Sequence, residues 1–252
     1  IATLGASCGG VGILSMPICM HYAGWVLGTI ITIAVGVLAD ASLCMIVTCC
    51  RLTGESTFPG IGQKCYGSRG HTAVLVTLLA TLLGCAICVL LVVCQLSQII
   101  ARDVLKMNAD TFLLSTLFVS AVVVLLTFPL TLLRSLSRLA PSSAAAVLAL
   151  AYVSLLLIGS WCVQEIAAAG VASWALTVNT LAVPSIVIQA FICHFNILPI
   201  YAELRPSSKA SVGTLIHSTI MGFVTPAYCL FGIAGYMQLG TTTENCANVL
   251  LC

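Results

Sequence analysis

Four adjacent residues, Cys193-His194-Phe195-Asn196, interrupt an otherwise apolar stretch, PSIVIQAFICHFNILPIYAEL, over 184–204. His194 and Asn196 bring hydrogen-bonding side chains into a segment long and apolar enough to span a bilayer. Pro199 follows, where a continuous helix loses a backbone hydrogen bond. The first stretch of the chain, 1–20, has the same plan: Gly9-Gly10-Val11-Gly12-Ile13-Leu14, then Pro17. Gly12-Ile13-Leu14…Pro17 and Asn196-Ile197-Leu198-Pro199 echo each other. Two interrupted hydrophobic segments in corresponding positions point to a binding site for a small solute between broken helices. A pair of ordinary kinked helices is the plainer alternative, since Gly and Pro are common in membrane spans.

The elements that must position these residues follow from composition. Of 252 residues, 60% are hydrophobic and 6% charged, with a mean hydropathy of +1.17. So little charge over so long a chain specifies an all-α, multi-pass membrane protein. The apolar runs are too long for the alternating strands of a membrane barrel. The Lys and Arg residues sit between spans and form no nucleic-acid surface, and the connections are too short to hold a soluble domain. No nucleophile motif, phosphate loop or paired carboxylate suggests an enzyme. Most of the 14 Cys lie inside apolar runs, where Cys acts as a small hydrophobe. No paired CxxC indicates a metal site, and no cofactor is expected.

Seven spans are expected, at about 2–20, 25–50, 71–101, 111–130, 140–160, 182–204 and 211–238. Asp40 lies well inside the second, and an intramembrane carboxylate is a functional candidate by default; a structural hydrogen bond or a protonated, neutral group is the alternative. His21-Tyr22-Ala23-Gly24-Trp25 is read as a short turn. Residues 51–70 are read as a polar connection with room for one short interfacial helix, and 161–180 as a partly amphipathic interfacial helix. Gln95 and Gln98 share a face near the end of the third span. Arg51, Lys64, Arg69, Arg134, Arg138, Arg205 and Lys209 fall on one side of this topology, and Arg102 and Lys106 on the other. The bias makes residue 1 cytoplasmic. It also argues against a heptahelical receptor, whose N-terminus lies outside. Cys162 and Cys246 then share the oxidising side and are a candidate disulfide. Glu203 and Arg205 lie at the cytoplasmic end of the sixth span, as an interfacial or gating pair.

Several segments resemble one family. GGVGILSMPICMHYAGWVLG (9–28) resembles the first-span signature of the amino acid/auxin permeases, which include the system A and system N neutral amino acid transporters. AFICHFNILPIYAEL (190–204) resembles their sixth span and is the most specific match. PLTLLRSLSRLAPSS (129–143) and TENCANVLLC resemble their fourth-to-fifth link and the stretch after the seventh span. The resemblance implies a five-plus-five inverted repeat with spans 1 and 6 discontinuous. Within 1–252 it implies a single, partial transporter domain: a first repeat over 1–160 and the start of a second over 181–252. It implies secondary active transport of neutral amino acids by alternating access. A non-transporting, receptor-like or regulatory membrane module is the alternative, since the later spans of the family are missing from this sequence and the chain reads as truncated. Sodium-coupled members carry Asn where this chain has Ala6, so the coupling ion, proton or sodium, stays open. Asp40, Glu203 and Arg205 are the coupling or gating candidates. The membrane, plasma or vacuolar/lysosomal, and the oligomeric state are also open.

The substrate such a site takes is a zwitterion in the bilayer. Backbone N–H groups of an unwound Gly9-Gly10-Val11-Gly12 turn are placed for its carboxylate. Carbonyls around Phe191, Ile192 and Cys193 are placed for its ammonium. His194, Phe195 and Asn196, with facing residues of the third span, are expected to read its side chain. Asn196 has a second reading as a helix cap.

Overall fold

The computed structural model describes residues 11–100, 116–131, 140–163, 171–204 and 206–239. These residues are helical almost throughout, with no strand among them. A 3-10 helix, Val11–Ser15, leads into α1, Met16–Ala23. Pro17 sits in the first turn of α1, where an amide proton has no helical partner to lose. The expected turn at His21–Trp25 contracts to one residue. The helix runs through Ala23, and Gly24, with φ 78° and ψ 155°, alone redirects the chain into α2, Trp25–Thr53. A side chain is rarely accommodated at that φ.

The segment 171–177 explains how so tight a turn is held. The N–H groups of Trp25 and Val26 donate to the carbonyls of Ala172 and Ser173 at 3.3 and 3.0 Å, and Ala175 N–H donates to Ala23 C=O at 2.8 Å. The segment thereby satisfies end groups that α1 and α2 cannot satisfy themselves. This corrects the sequence expectation of an interfacial helix over 161–180. Backbone groups spent on two helix ends are not available for a helix of their own, and 171–177 is irregular, followed by a 3-10 helix at Val178–Ala182.

α3, Phe58–Ile99, starts at Thr57, whose hydroxyl accepts from Gly60 N–H at 3.2 Å, and has Pro59 in its first turn. The helix is broken at Gly67, φ 66° and ψ −156°. The leading piece therefore forms a short helix inside the expected 51–70 connection. Nothing lies within 4 Å of where a Cβ on Gly67 would stand, so Gly67→Ala tests backbone strain alone. It is expected to cost about 1–3 kcal/mol, read as a lower thermal midpoint of the purified protein in detergent.

α4, Thr116–Thr131, and α5, Ala140–Val163, follow. The second interrupted stretch forms α6, Val183–Ala190, and α7, His194–Glu203. A short α8, Pro206–Lys209, leads to α9, Val212–Thr219, a π-helical turn at Ile220–Val224, and α10, Thr225–Leu239. Pro226, separated from the π turn by Thr225, has no N–H to give the preceding turn, which accounts for the widening there.

The core is made by the 3-10 turn, α1, α2, α6, α7, α9 and α10. Met16, Leu43, Ile197, Ile216, Tyr228 and Phe231 are all buried in it. By contrast, α3, α4 and α5 expose Leu79, Leu83, Leu125, Leu126 and Leu155. Among the described residues four helical stretches are long and apolar enough to cross a membrane: Trp25–Thr53, Phe58–Ile99, Val178–Glu203 and Val212–Gln238. Outward apolar faces on such lengths are what a lipid surround requires. The protein is a multi-pass helical membrane protein.

Candidate functional site

The break between α6 and α7 is built from three residues. Phe191 N–H still reaches back to Val187 and Ile188, at 3.2 and 3.1 Å. Cys193 N–H then turns onto Phe191 C=O at 2.9 Å, and Asn196 N–H restarts the helix on Cys193 C=O at 3.0 Å. Of the carbonyls expected to be free for a ligand, those of Phe191 and Cys193 thus already accept one bond each. The cap position of α7 is Cys193, which is fully buried, and Asn196 lies inside the first turn.

One more carbonyl at this end has a partner the sequence did not disclose. Tyr228 of α10, 1% exposed, donates its hydroxyl to Ala190 C=O at 3.0 Å. Its ring meets Phe191 edge-on, with centroids 4.9 Å apart. Tyr228→Phe keeps the ring contact and strips the carbonyl of its donor. The expected loss is about 1–3 kcal/mol of stability, measurable as a lower unfolding midpoint; an unchanged midpoint would show that another donor takes the place.

The two interrupted stretches meet at Ala190. A Cβ on Gly12 would lie 2.5 Å from Ala190 Cα and 2.6 Å from its Cβ. The backbone of the first stretch therefore rests directly on the last turn of α6. Val11 opens the 3-10 turn, while Gly9 and Gly10 lie outside the described residues, as does Ala6.

His194 opens α7 and is held by α2. Its Nε2 lies 2.6 Å from Ser42 Oγ, and the Ser42 hydroxyl donates to Ala39 C=O at 2.9 Å. A hydroxyl has one proton. With that proton on Ala39, Nε2–H donates to Ser42, and in the neutral ring Nδ1 is left as an acceptor. His194 also lines a cavity of about 370 Å³ between the break and α3. Ile192, His194 and Phe195 form one wall, and Thr77, Leu78 and Thr81 form the other. The two threonine hydroxyls are turned back onto their own helix, donating to Ala73 and Thr77 carbonyls at 2.9 Å each. The imidazole is therefore the polar feature of a largely apolar wall. Phe58, from the leading piece of α3, also borders the cavity. Gln95 and Gln98, farther along α3, are not among its lining residues.

Asp40 is brought against a residue that sequence reading passed over. Its Oδ2 lies 3.2 Å from Nδ1 of His217 on α9. Its Oδ1 is buried with no hydrogen-bond partner. The signal for His217 was available, since an ionisable side chain within a span deserves the same suspicion as Asp40.

At the far end of α2, Arg51 Nε donates to the Tyr201 hydroxyl at 3.2 Å, and Arg51 Nη2 to the carbonyl of Lys209. Both cations also stand over the Tyr201 ring, at 5.7 and 5.1 Å. Glu203 ends α7 nearby and is exposed. Arg205, Cys246 and the side chain of Cys162 lie outside the described residues. Among the described residues no disulfide and no cluster of metal-ligating side chains occurs.

A family profile described as "Transmembrane amino acid transporter protein" matches residues 1–251. Among curated relatives, human "Solute carrier family 38 member 10" is 25% identical over 250 residues, covering 96% of this chain and 22% of that protein. "Amino acid transporter AVT1C" of Arabidopsis thaliana is 29% identical over 243 residues, covering 94% of this chain and 42% of that protein. "Vacuolar amino acid transporter 2" of Saccharomyces cerevisiae is 24% identical over 252 residues, with 96% and 51% covered. The chain thus spans from about a fifth to about half the length of these relatives. No solved structure matches it.

Proposed function

Because the chain belongs to the transmembrane amino acid transporter family, we propose that its full-length protein moves neutral amino acids across a membrane by secondary active transport. The observation that carries this reading is the seat of Gly12 on Ala190, which sets one interrupted stretch against the break in the other, beside a cavity of about 370 Å³. In this reading the unwound Gly9-Gly10-Val11-Gly12 turn receives the substrate carboxylate, and carbonyls around Phe191, Ile192 and Cys193 receive the ammonium. His194, Phe195 and Asn196 meet the side chain. A wall of Ile192, Phe195 and Leu78 favours an uncharged side chain, because a charge placed there loses its hydration without a partner.

The reading takes seven spans for this chain, with the first and sixth discontinuous, and a first repeat over 1–160 answered by a second beginning near 181. Transport proceeds by alternating access, coupled to an ion. Residue 1 lies on the cytoplasmic side by the bias of Arg and Lys, which puts the Arg51–Tyr201–Lys209 cluster there too. Glu203 and Arg205 are placed with it as gating candidates. A vacuolar or lysosomal membrane accords with the printed name of the yeast relative, and the plasma membrane is the other candidate.

The full-length gene product, purified and reconstituted in proteoliposomes, is expected to take up radiolabelled neutral amino acids saturably. A panel in which no amino acid is taken up or exchanged would end this reading.

A further inference from the structure

The end of α2 farthest from Gly24 gathers charge that the proposed substrate site does not use. Arg51 stands in the last turn of α2, and Lys209 closes the short α8. Both line a cavity of about 420 Å³, together with Tyr201, Gly54, Glu55 and Ser56. No residue lines both this cavity and the one beside the break. The two cations share the Tyr201 ring, at 5.7 and 5.1 Å from its centroid. Among the described residues neither is paired with a carboxylate. Like charges held together repel unless an anion joins them. Glu55 is the acidic side chain at the rim, and it is directed elsewhere. Its Oε2 lies 2.7 Å from where a Cβ on Gly60 would stand, against the first turn of α3, where a helix favours an anion. Glu203 does not line the cavity. The end of α2 adds roughly half a unit of negative charge, which Arg51 alone outweighs. The charge of Lys209 is left over.

The donors suit a particular anion. A guanidinium has five N–H groups. Arg51 spends Nε–H on the Tyr201 hydroxyl and one Nη2–H on the carbonyl of Lys209. The others, on Nη1 and Nη2, stay available, as does the ammonium of Lys209. The two spent bonds hold the planar fork in place, and a fork so held fits the oxygens of a phosphate. Position narrows the source of that phosphate. The helix Trp25–Thr53 is long and apolar enough to cross a membrane, and Arg51 stands near its end. Leu52, next to it, is exposed, as an apolar side chain at the edge of a lipid layer is. Residues 51–70 carry Arg51, Lys64 and Arg69 against Glu55 alone, and basic side chains at the end of a span attract anionic lipid.

We propose that this cavity binds the phosphate of an anionic phospholipid headgroup. A phosphate seated between Arg51 and Lys209 joins α2 to α8 beside Tyr201 of α7. The start of α7 is already tied to α2 through His194 and Ser42. Tyr201 lies about two turns farther along α7, on the same face. The headgroup therefore braces the second half of the interrupted stretch against α2 at its other end. Binding at this site does not depend on the transport reading, and its test needs no transport.

The full-length protein, purified in detergent, is titrated with dioctanoyl phosphatidic acid, dioctanoyl phosphatidylcholine and inorganic phosphate. Binding is read by calorimetry and by the rise in unfolding midpoint. Phosphatidic acid is expected to bind saturably and to raise the midpoint. Phosphatidylcholine, whose choline cancels the phosphate charge, and inorganic phosphate, which has no acyl anchor, are each expected to bind about tenfold or more weakly. Lys209→Gln keeps the backbone carbonyl that Arg51 uses, so the tie between α2 and α8 stays. It is expected to weaken phosphatidic acid binding about tenfold or more. Arg51→Gln is expected to weaken it further, and where that variant does not fold Lys209→Gln carries the test. Lys64→Gln removes an exposed cation outside the cavity and is expected to stay within about twofold of wild type. Inorganic phosphate bound as tightly as phosphatidic acid would make the ligand a soluble phosphate and overturn the lipid assignment. Equal losses from Lys64→Gln and Lys209→Gln would reduce the effect to general surface charge and overturn the site. Absence of saturable phosphatidic acid binding by the wild type overturns it too.

Discussion

Gly12→Val in the full-length protein is expected to cut amino acid uptake by at least about tenfold, the equivalent of about 1.4 kcal/mol, and to lower the unfolding midpoint. The reason is local and steric. A Cβ at this position stands 2.5 Å from Ala190 Cα and 2.6 Å from Ala190 Cβ. The obstacle is largely backbone, which cannot swing aside as a flexible side chain does. Overpacking of this kind costs about 1–3 kcal/mol where the structure yields at all. Yielding here means that the 3-10 turn Val11–Ser15 lifts off the end of α6, which separates the two halves of the proposed site. Gly84→Val on α3 is the matched control. No atom lies within 4 Å of its added Cβ, and both readouts are expected to stay near wild type. Wild-type uptake and midpoint in the Gly12 variant would show that the contact with Ala190 is dispensable.

What the sequence revealed, and what it did not, divides by the range of the forces involved. That the stretch 184–204 is interrupted was legible because the cause is local, hydrogen-bonding side chains in an apolar run with Pro199 close behind. The sequence centred the interruption on 193–196, whereas the break falls at 191–193 and the helix resumes at His194. The long α2 was legible for the same reason, as was the polar connection after it. Residues 171–177 were not. Their alanines and tryptophan read as an interfacial helix, yet their backbone bonds go to Ala23, Trp25 and Val26, more than 140 positions away. No local pattern records that. The one-residue turn at Gly24 was obscured likewise, since it depends on the same distant segment.

The site shows the same division. Sequence picked out His194 and Asp40 by type, because imidazoles and carboxylates are conspicuous in a span. It could not supply Ser42, an unremarkable choice until two helices are packed, and while His217 was visible by type, its pairing with Asp40 was not. Tyr228 illustrates the limit well. A tyrosine in a span is ordinarily an aromatic for packing, and only the fold reveals that its hydroxyl serves Ala190 C=O at 3.0 Å. At the other end, alternation of spans put Arg51 and Lys209 on one side, but not the fact that Tyr201 lies beneath both.

The second large effect is expected at His194, and the pair with Ser42 makes its origin measurable. His194→Ala is expected to lower uptake kcat/KM by roughly 100-fold, about 2.8 kcal/mol. Two losses combine in it. The tie between α2 and α7 goes, and so does the Nδ1 acceptor on an otherwise apolar cavity wall. Ser42→Ala removes only the first. Its hydroxyl also served Ala39 C=O, which remains in the α2 ladder, so the expected loss is smaller, about three- to tenfold, within the range of a single hydrogen bond. If the imidazole meets substrate directly, the double variant should be no worse than His194→Ala alone, since Ser42 then acts only by holding the ring. His194→Gln should recover part of the activity, because its amide can bond Ser42 while still lining the cavity. Equal losses from Ser42→Ala and His194→Ala would reassign the histidine to bracing the break. A His194→Ala protein with unchanged kcat/KM for every amino acid in the panel would remove the residue from the site.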